Sequence, residues 1–116
     1  MKIINLKAVE SATVTMAGAK DVTRQVPIGV ADGAPTCSIR VFTVESGGHT
    51  MHHSHPFEHV NYVLEGTGEL MSDAGPRNIS KGDFILVLPN EVHQYRNAGD
   101  APFVFICMVP VEYEGS

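Results

Sequence analysis

From Cys37 onward, the apolar positions of this 116-residue chain fall in short runs separated by turn-sized gaps. "CSIRVFTVE" is rich in β-branched residues and ends at the turn-like "SGG". After it come "TMHHSH", "HVNYVLE", "TGELMS", "FILVLP", "VHQYRN" and "FVFICMVPV", with "PFE", "EGTG", "DAGPRNISKGD", "NE" and "AGDAP" between them. Strand after strand at this spacing predicts an all-β sandwich or barrel. Residues 1–35 are mixed: "SATVTM" is a candidate strand, and "AGAKD" and "VADGAP" read as turns. "RQVPIG" is a candidate edge strand, because its proline cannot donate to a ladder. No segment has a helix-length periodic pattern, and no internal repeat appears.

Side chains alternate faces along a strand, so residues two apart share a side. In "HTMHHSH" this groups His49, Met51, His53 and His55, with His52 and Ser54 opposite. In "HVNYVLE" the shared face carries His59, Asn61 and Val63, and in "VHQYRN" it carries His93, Tyr95 and Asn97. If the His53/His55 face points into a small barrel, His59 and His93 can converge on the same point.

Composition narrows the class. Apolar residues make up 43% and charged residues 18%, as in a globular domain, and 116 residues leave room for only one. A net charge of −5 with no basic run argues against nucleic acid as a partner. The N-terminal "MKIINLKAVE" lacks the apolar stretch of a signal peptide, and no run is long enough to cross a membrane. Cys37 and Cys107 sit in apolar runs and are expected to be free thiols in a reducing, cytoplasmic compartment.

Five of the six histidines lie in "GGHTMHHSHPFEH", residues 47–59. Two imidazoles at i and i+2 on a strand stand about 6–7 Å apart at their Cα atoms, which suits two ligands on one ion. Pro56 closes the run, "PFE" turns the chain, and His59 then opens the neighbouring strand. "PNEVH" offers His93 as a fourth ligand.

These residues resemble the two motifs of a small single-domain cupin. Gly47, five residues, His53-Ser54-His55, "PFE", His59, six residues and Gly66 follow the first motif, with His59 where the family usually has glutamate. The second starts at Gly82 and reaches His93 and Asn97, although Pro89 lacks the family's following Pro-x-Gly glycine. The resemblance spans roughly residues 40–110. It implies a jelly-roll β-barrel (a double-stranded β-helix), one divalent transition metal ion (Mn, Fe, Cu, Ni or Zn), and His53, His55, His59 and His93 as ligands. Glu58 is a rival to His59, ranked below it because a one-residue shift flips the face. His49 is expected near a rim and His52 facing away.

Four neutral imidazoles leave the ion's charge uncompensated and its electrophilicity high, and imidazole suits several transition metals. Histidine binds metal only when neutral, so metal loss is expected in mild acid, below about pH 6.5. Ile39, Val41, Phe84, Leu86, Phe103 and Phe105 are candidates for the barrel lining, and Arg24 and Arg40 either meet an anionic substrate or, as is usual for an arginine on a strand, lie on the wet face. Tyr95 either donates a hydrogen bond to a bound oxygen or turns its hydroxyl to solvent. Cys107 is either a group near the metal or a small core residue. The resemblance further implies a homodimer built on open sheet edges, with the N-terminal 30 residues as candidates for extending the partner's sheet. The expected function is a metal-dependent dioxygenase cleaving a C–C or C=C bond in a small oxygenated or aromatic substrate. The alternatives are a non-enzymatic cupin that binds or senses a small molecule or metal, and a metal-dependent isomerase or decarboxylase.

Overall fold

In the computed structural model, which describes residues 1–116, nine strands form one curled antiparallel sheet that closes into a jelly-roll barrel. The strands are β1 (Ala12–Thr13), β2 (Lys20–Ile28), β3 (Cys37–His49), β4 (His59–Glu65), β5 (Thr67–Ser72), β6 (Gly75–Ser80), β7 (Phe84–Val87), β8 (His93–Arg96) and β9 (Phe103–Pro110). Their order across the sheet is β6-β5-β8-β3-β9-β4-β7, with β2 lying on β3 and β1 on β2. Only three short 3-10 turns, at Leu6–Ala8, Val30–Asp32 and Val111–Tyr113, interrupt the β structure.

The predicted alternation holds in the strands that build the interior. His59, Asn61 and Val63 of β4 are buried, as are Phe103, Phe105, Cys107 and Val109 of β9, and His93 and Tyr95 of β8. Val22, Val44, Phe57 and Ile79 complete the packed core with them. "RQVPIG" lies in β2, which is bordered outside β3 only by the two-residue β1. Its proline falls at the register irregularity between Gln25 and Ile28, where no ladder bond is lost.

Three local expectations fail. "SGG" is not a turn: β3 runs through it, pairing with β9 over residues 37–44 and reaching β8 at His49. Gly47 adopts φ +80, and a Cβ on Gly48 would stand 2.6 Å from the Lys20 carbonyl oxygen, so the two glycines let β3 bend from one layer to the other. "TMHHSH" is not a strand; one isolated bridge, His53 to His93, pins it. "GPRNIS", read as part of a loop, is strand β6.

Facing also corrects the predicted lining. Phe84 and Leu86 are 78% and 59% exposed on the outer surface. In β3 Ser38, Arg40, Phe42 and Val44 share the inner face, so Ile39 and Val41 stand on the other face, where Val41 is nevertheless buried, and Arg40 does not lie on the wet face. The N-terminal segment packs on its own chain: Gln25 donates to the carbonyls of Leu6 and Val9.

Candidate metal centre

The segment after β3 carries two of the candidate ligands without forming a ladder. His53 and His93 exchange backbone hydrogen bonds at 3.2 and 2.9 Å, and the Asn90 amide donates to the His55 carbonyl at 2.7 Å. His52, Ser54 and Pro56 are exposed while His53 and His55 turn inward, so the alternation survives although the strand does not. His59 opens β4 and His93 opens β8, which brings imidazoles from separate elements to one end of the barrel.

The ring nitrogens of His53, His55 and His93 offer ligand atoms that all lie within 4.8 Å of one another. Backbone carbonyls fix two of the rings. His55 Nδ1 lies 3.2 Å from the Phe57 oxygen, and His93 Nδ1 lies 2.9 Å from the Glu91 oxygen. An Nδ1–H donated to a carbonyl leaves Nε2 as the free lone pair, the form a metal requires. His55 Nε2 is buried and has no hydrogen-bond partner, a costly state that a bound cation relieves. Phe57 stacks on the His55 ring, centroids 4.3 Å apart and planes 8° apart, and Tyr113 stacks on the other face of Phe57 at 3.9 Å. The donor set therefore fits a divalent transition metal ion.

His59 stands beside this cluster rather than in it. Its ring lies 4.1 Å from that of His55, but its Nε2 is 3.5 Å from Nη2 of Arg40. Glu58 is exposed and turned away, as is His52. His49 is engaged at the rim with the Thr50 carbonyl and Gln94.

Tyr95 neither faces solvent nor keeps a free hydroxyl: it is buried and donates to Asn61 Oδ1 at 2.6 Å. Burial raises its pKa well above the ordinary phenol value. Cys107 lies in the core with its Sγ 3.2 Å from Arg40 Nη2, and burial raises its pKa against the opposing pull of Arg40, which keeps it a thiol. Asn97 is a loop staple, donating to the carbonyls of Val44 and Ala101. Arg40, weighed in the sequence for an anionic substrate or for the wet face, is buried, and its Cα pairs across the ladder with Cys107, so the two share the inner face.

Burial, followed by the charge of neighbouring imidazoles, lowers the pKa of His53 to about 4. Burial also lowers His55 and His93, and takes His59 down to about 2. An unfolded imidazole titrates at about 6.5, so these depressed groups contribute stability that is present above that pH and lost as pH falls toward 4. The same shifts weaken proton competition for the ligand atoms. Metal release on dialysis is therefore expected to have its midpoint below about pH 6.5 and to be complete near pH 4. A metal-to-protein ratio halved at or above the ordinary imidazole value would contradict the buried site.

A cupin-domain family model matches residues 40–109. An uncharacterized protein of Methanocaldococcus jannaschii is 34% identical over 65 residues, covering 55% of this chain and about half, 52%, of that protein's length. The polyketide cyclase RemF from Streptomyces resistomycificus superposes with a TM-score of 0.92 at 30% identity, over 96% of this chain and 80% of its own. A cupin-2 domain protein from Rhodospirillum rubrum does so with a TM-score of 0.82 at 26% identity, over 94% and 74%.

Proposed function

The chain belongs to the cupin family, and we propose that it is a metal-dependent enzyme acting on a small carbonyl-bearing or aromatic compound held inside the barrel. The observation that carries this reading is the unpartnered Nε2 of His55 within a cluster of imidazole donors, two of which, His53 and His93, line a largely apolar cavity. His53, His55 and His93 would hold the ion, with His59 beside them as the candidate fourth imidazole. When bound, a divalent ion there supplies Lewis acidity toward an oxygen of the substrate.

The chain's own residues then set the environment. Phe42, Met51 and Phe105 exclude water and take the apolar body of the substrate. The Tyr95–Asn61 hydrogen bond holds the phenol in place beneath the cavity, and Tyr95 stacks on Phe105 at 4.4 Å. Similarity to a polyketide cyclase over nearly the whole chain favours condensation or isomerisation of a carbonyl-rich substrate. Dioxygenase chemistry is the second reading. It is favoured by a cavity wall that carries no Asp or Glu side chain.

Zinc-, manganese- and iron(II)-loaded protein, incubated with diketones, poly-β-ketones and phenols in an oxygen-electrode cell, separates the two. Product formed without oxygen uptake is the expected result, and uptake stoichiometric with product assigns the dioxygenase. No turnover with any metal would sink both and leave a binding module.

We also propose that the enzyme is a homodimer. Ladder partners Leu86, Val60, Met108, Ile39 and Ile28 make an apolar row across five strands on the outer face. Four of them are 40% or more exposed, and Phe84 and Leu88 extend the patch. A contiguous row of this kind marks an interface.

A further inference from the structure

The cavity beside the imidazoles has room for about 60 Å³, well short of the roughly 150 Å³ in which one benzene lodges. An aromatic or carbonyl-bearing body therefore enters only if part of the wall moves. Much of that wall is built in. Phe42, His59, His93, Tyr95 and Phe105 stand on β3, β4, β8 and β9, each of which is paired with a strand on either side. Thr50 is tied to Tyr95, its amide donating to the Tyr95 carbonyl at 2.8 Å and its hydroxyl accepting from the Tyr95 amide at 2.9 Å.

The hairpin between β1 and β2 is held differently. It gives Val14, Met16 and Ala19 to the cavity wall. β1 is two residues long and pairs with β2 alone. Past Thr13 the arms are joined by the Val14 amide on the Val22 carbonyl at 2.9 Å, and the tip by the Ala19 amide on the Met16 carbonyl at 3.1 Å. Residues 15–18 are exposed. The register with β3 jumps between Lys20, opposite His49, and Val22, opposite Val44, and Asp21 in that gap takes φ +53. So few bonds and so little burial make this the part of the wall that opens with the smallest free-energy cost.

Met16 marks the mouth, because it lines the cavity and is still 43% exposed. Met51, on the loop that carries His53, lines the cavity as well, and a Cβ on Gly18 would lie 3.8 Å from its Cγ, so the hairpin tip and this loop meet there. A thioether side chain is unbranched, turns about three bonds and packs well on an aromatic ring.

We propose that residues 14–19 are the lid of this cavity, and that Met16 and Met51 are its two lips and select flat aromatic bodies. This rests on the barrel interior being the substrate site, as proposed above, and adds how that site is entered and which shape it takes.

A reversible lock tests it. A Cβ on Gly18 would stand 4.0 Å from the Cβ of Met51, within the roughly 3.5–4.5 Å that a disulfide spans. The zinc-loaded Gly18→Cys/Met51→Cys protein is compared oxidised and reduced in stopped-flow binding of 1-naphthol, followed by the fluorescence of the probe. Gly18 has φ +91, so the reduced form is the control for the strain that a side chain adds there. Association is expected to slow at least about a hundredfold on oxidation and to recover on reduction. The wild type should bind 1-naphthol at least about tenfold more tightly than its saturated, non-planar analogue 1-decalol, and Met16→Ala should bring the two within about twofold. Equal rates in the oxidised and reduced forms overturn the lid and leave the interior site standing. A preference untouched by Met16→Ala overturns the role of the lips. No binding of 1-naphthol to the wild type at millimolar concentration overturns the proposal together with the substrate site it serves.

Discussion

His55→Ala is expected to lower metal affinity by about a hundredfold or more, read as the metal-to-protein ratio after dialysis against a weak chelator. Loss of an outer hydrogen-bond partner of a ligand already costs about ten- to a hundredfold, and here a ligand itself is removed. The substitution deletes the one imidazole nitrogen that is buried without a partner, while the Phe57 carbonyl that fixed its tautomer remains. His93→Ala should match it, because its ring is fixed in the same way by Glu91. His52→Ala, on the exposed side of the same loop, should leave the ratio unchanged. His59→Ala is the informative member of the series. A loss as large as that of His55→Ala makes it a ligand despite Arg40 at 3.5 Å, and a near-normal ratio restricts the site to three imidazoles. Full occupancy of the His55→Ala protein would remove the centre altogether.

Met108→Glu is expected to split the dimer. The wild type should sediment at twice the single-chain mass of 12.5 kDa, and the variant at that mass itself. Met108 sits in the middle of the outer row, flanked by Val60 on one side and Ile39 on the other. A two-fold interface is self-complementary, so each substitution enters twice and two carboxylates lose water against apolar neighbours. We expect association to weaken at least about a hundredfold, since a buried unpaired charge is worth several kcal/mol. Met108 is 40% exposed in the single chain, so the fold itself should tolerate the change, checked by an unaltered circular dichroism spectrum. A wild type that sediments as a single chain would end the argument at once.

Much of this was legible in the sequence where one strand face is buried and the other is wet. "HVNYVLE" placed His59, Asn61 and Val63 inside, and "VHQYRN" did the same for His93 and Tyr95. Alternation failed where both faces are apolar or neither is. β3 carries Ile39 and Val41 outward against Arg40, Phe42 and Val44 inward, so its two faces look alike until the charge is assigned, and an arginine is normally assigned to water. β6 buries only Ile79 and bonds to β5 alone, so nothing in "GPRNIS" alternates. β7 turns Phe84 and Leu86 out onto the exposed row proposed above as a dimer face, which a single-chain reading takes for core. The bend at Gly47 and Gly48 was read as a stop, because glycine signals a turn and a kinked strand with the same letters. Segment 114–116 gave no local sign of its place, since its contacts with Arg24 and Arg40 join residues more than seventy positions apart.

The Phe57 ring, held flat between His55 and Tyr113, makes the ligand-bearing loop and the final 3-10 turn into a single mechanical unit. Whatever tugs on one is felt by the other through a column of three rings. Removing the Tyr113 ring would therefore slacken the brace behind His55, so the seating of the chain's last turn and the firmness of a candidate ligand are geared together.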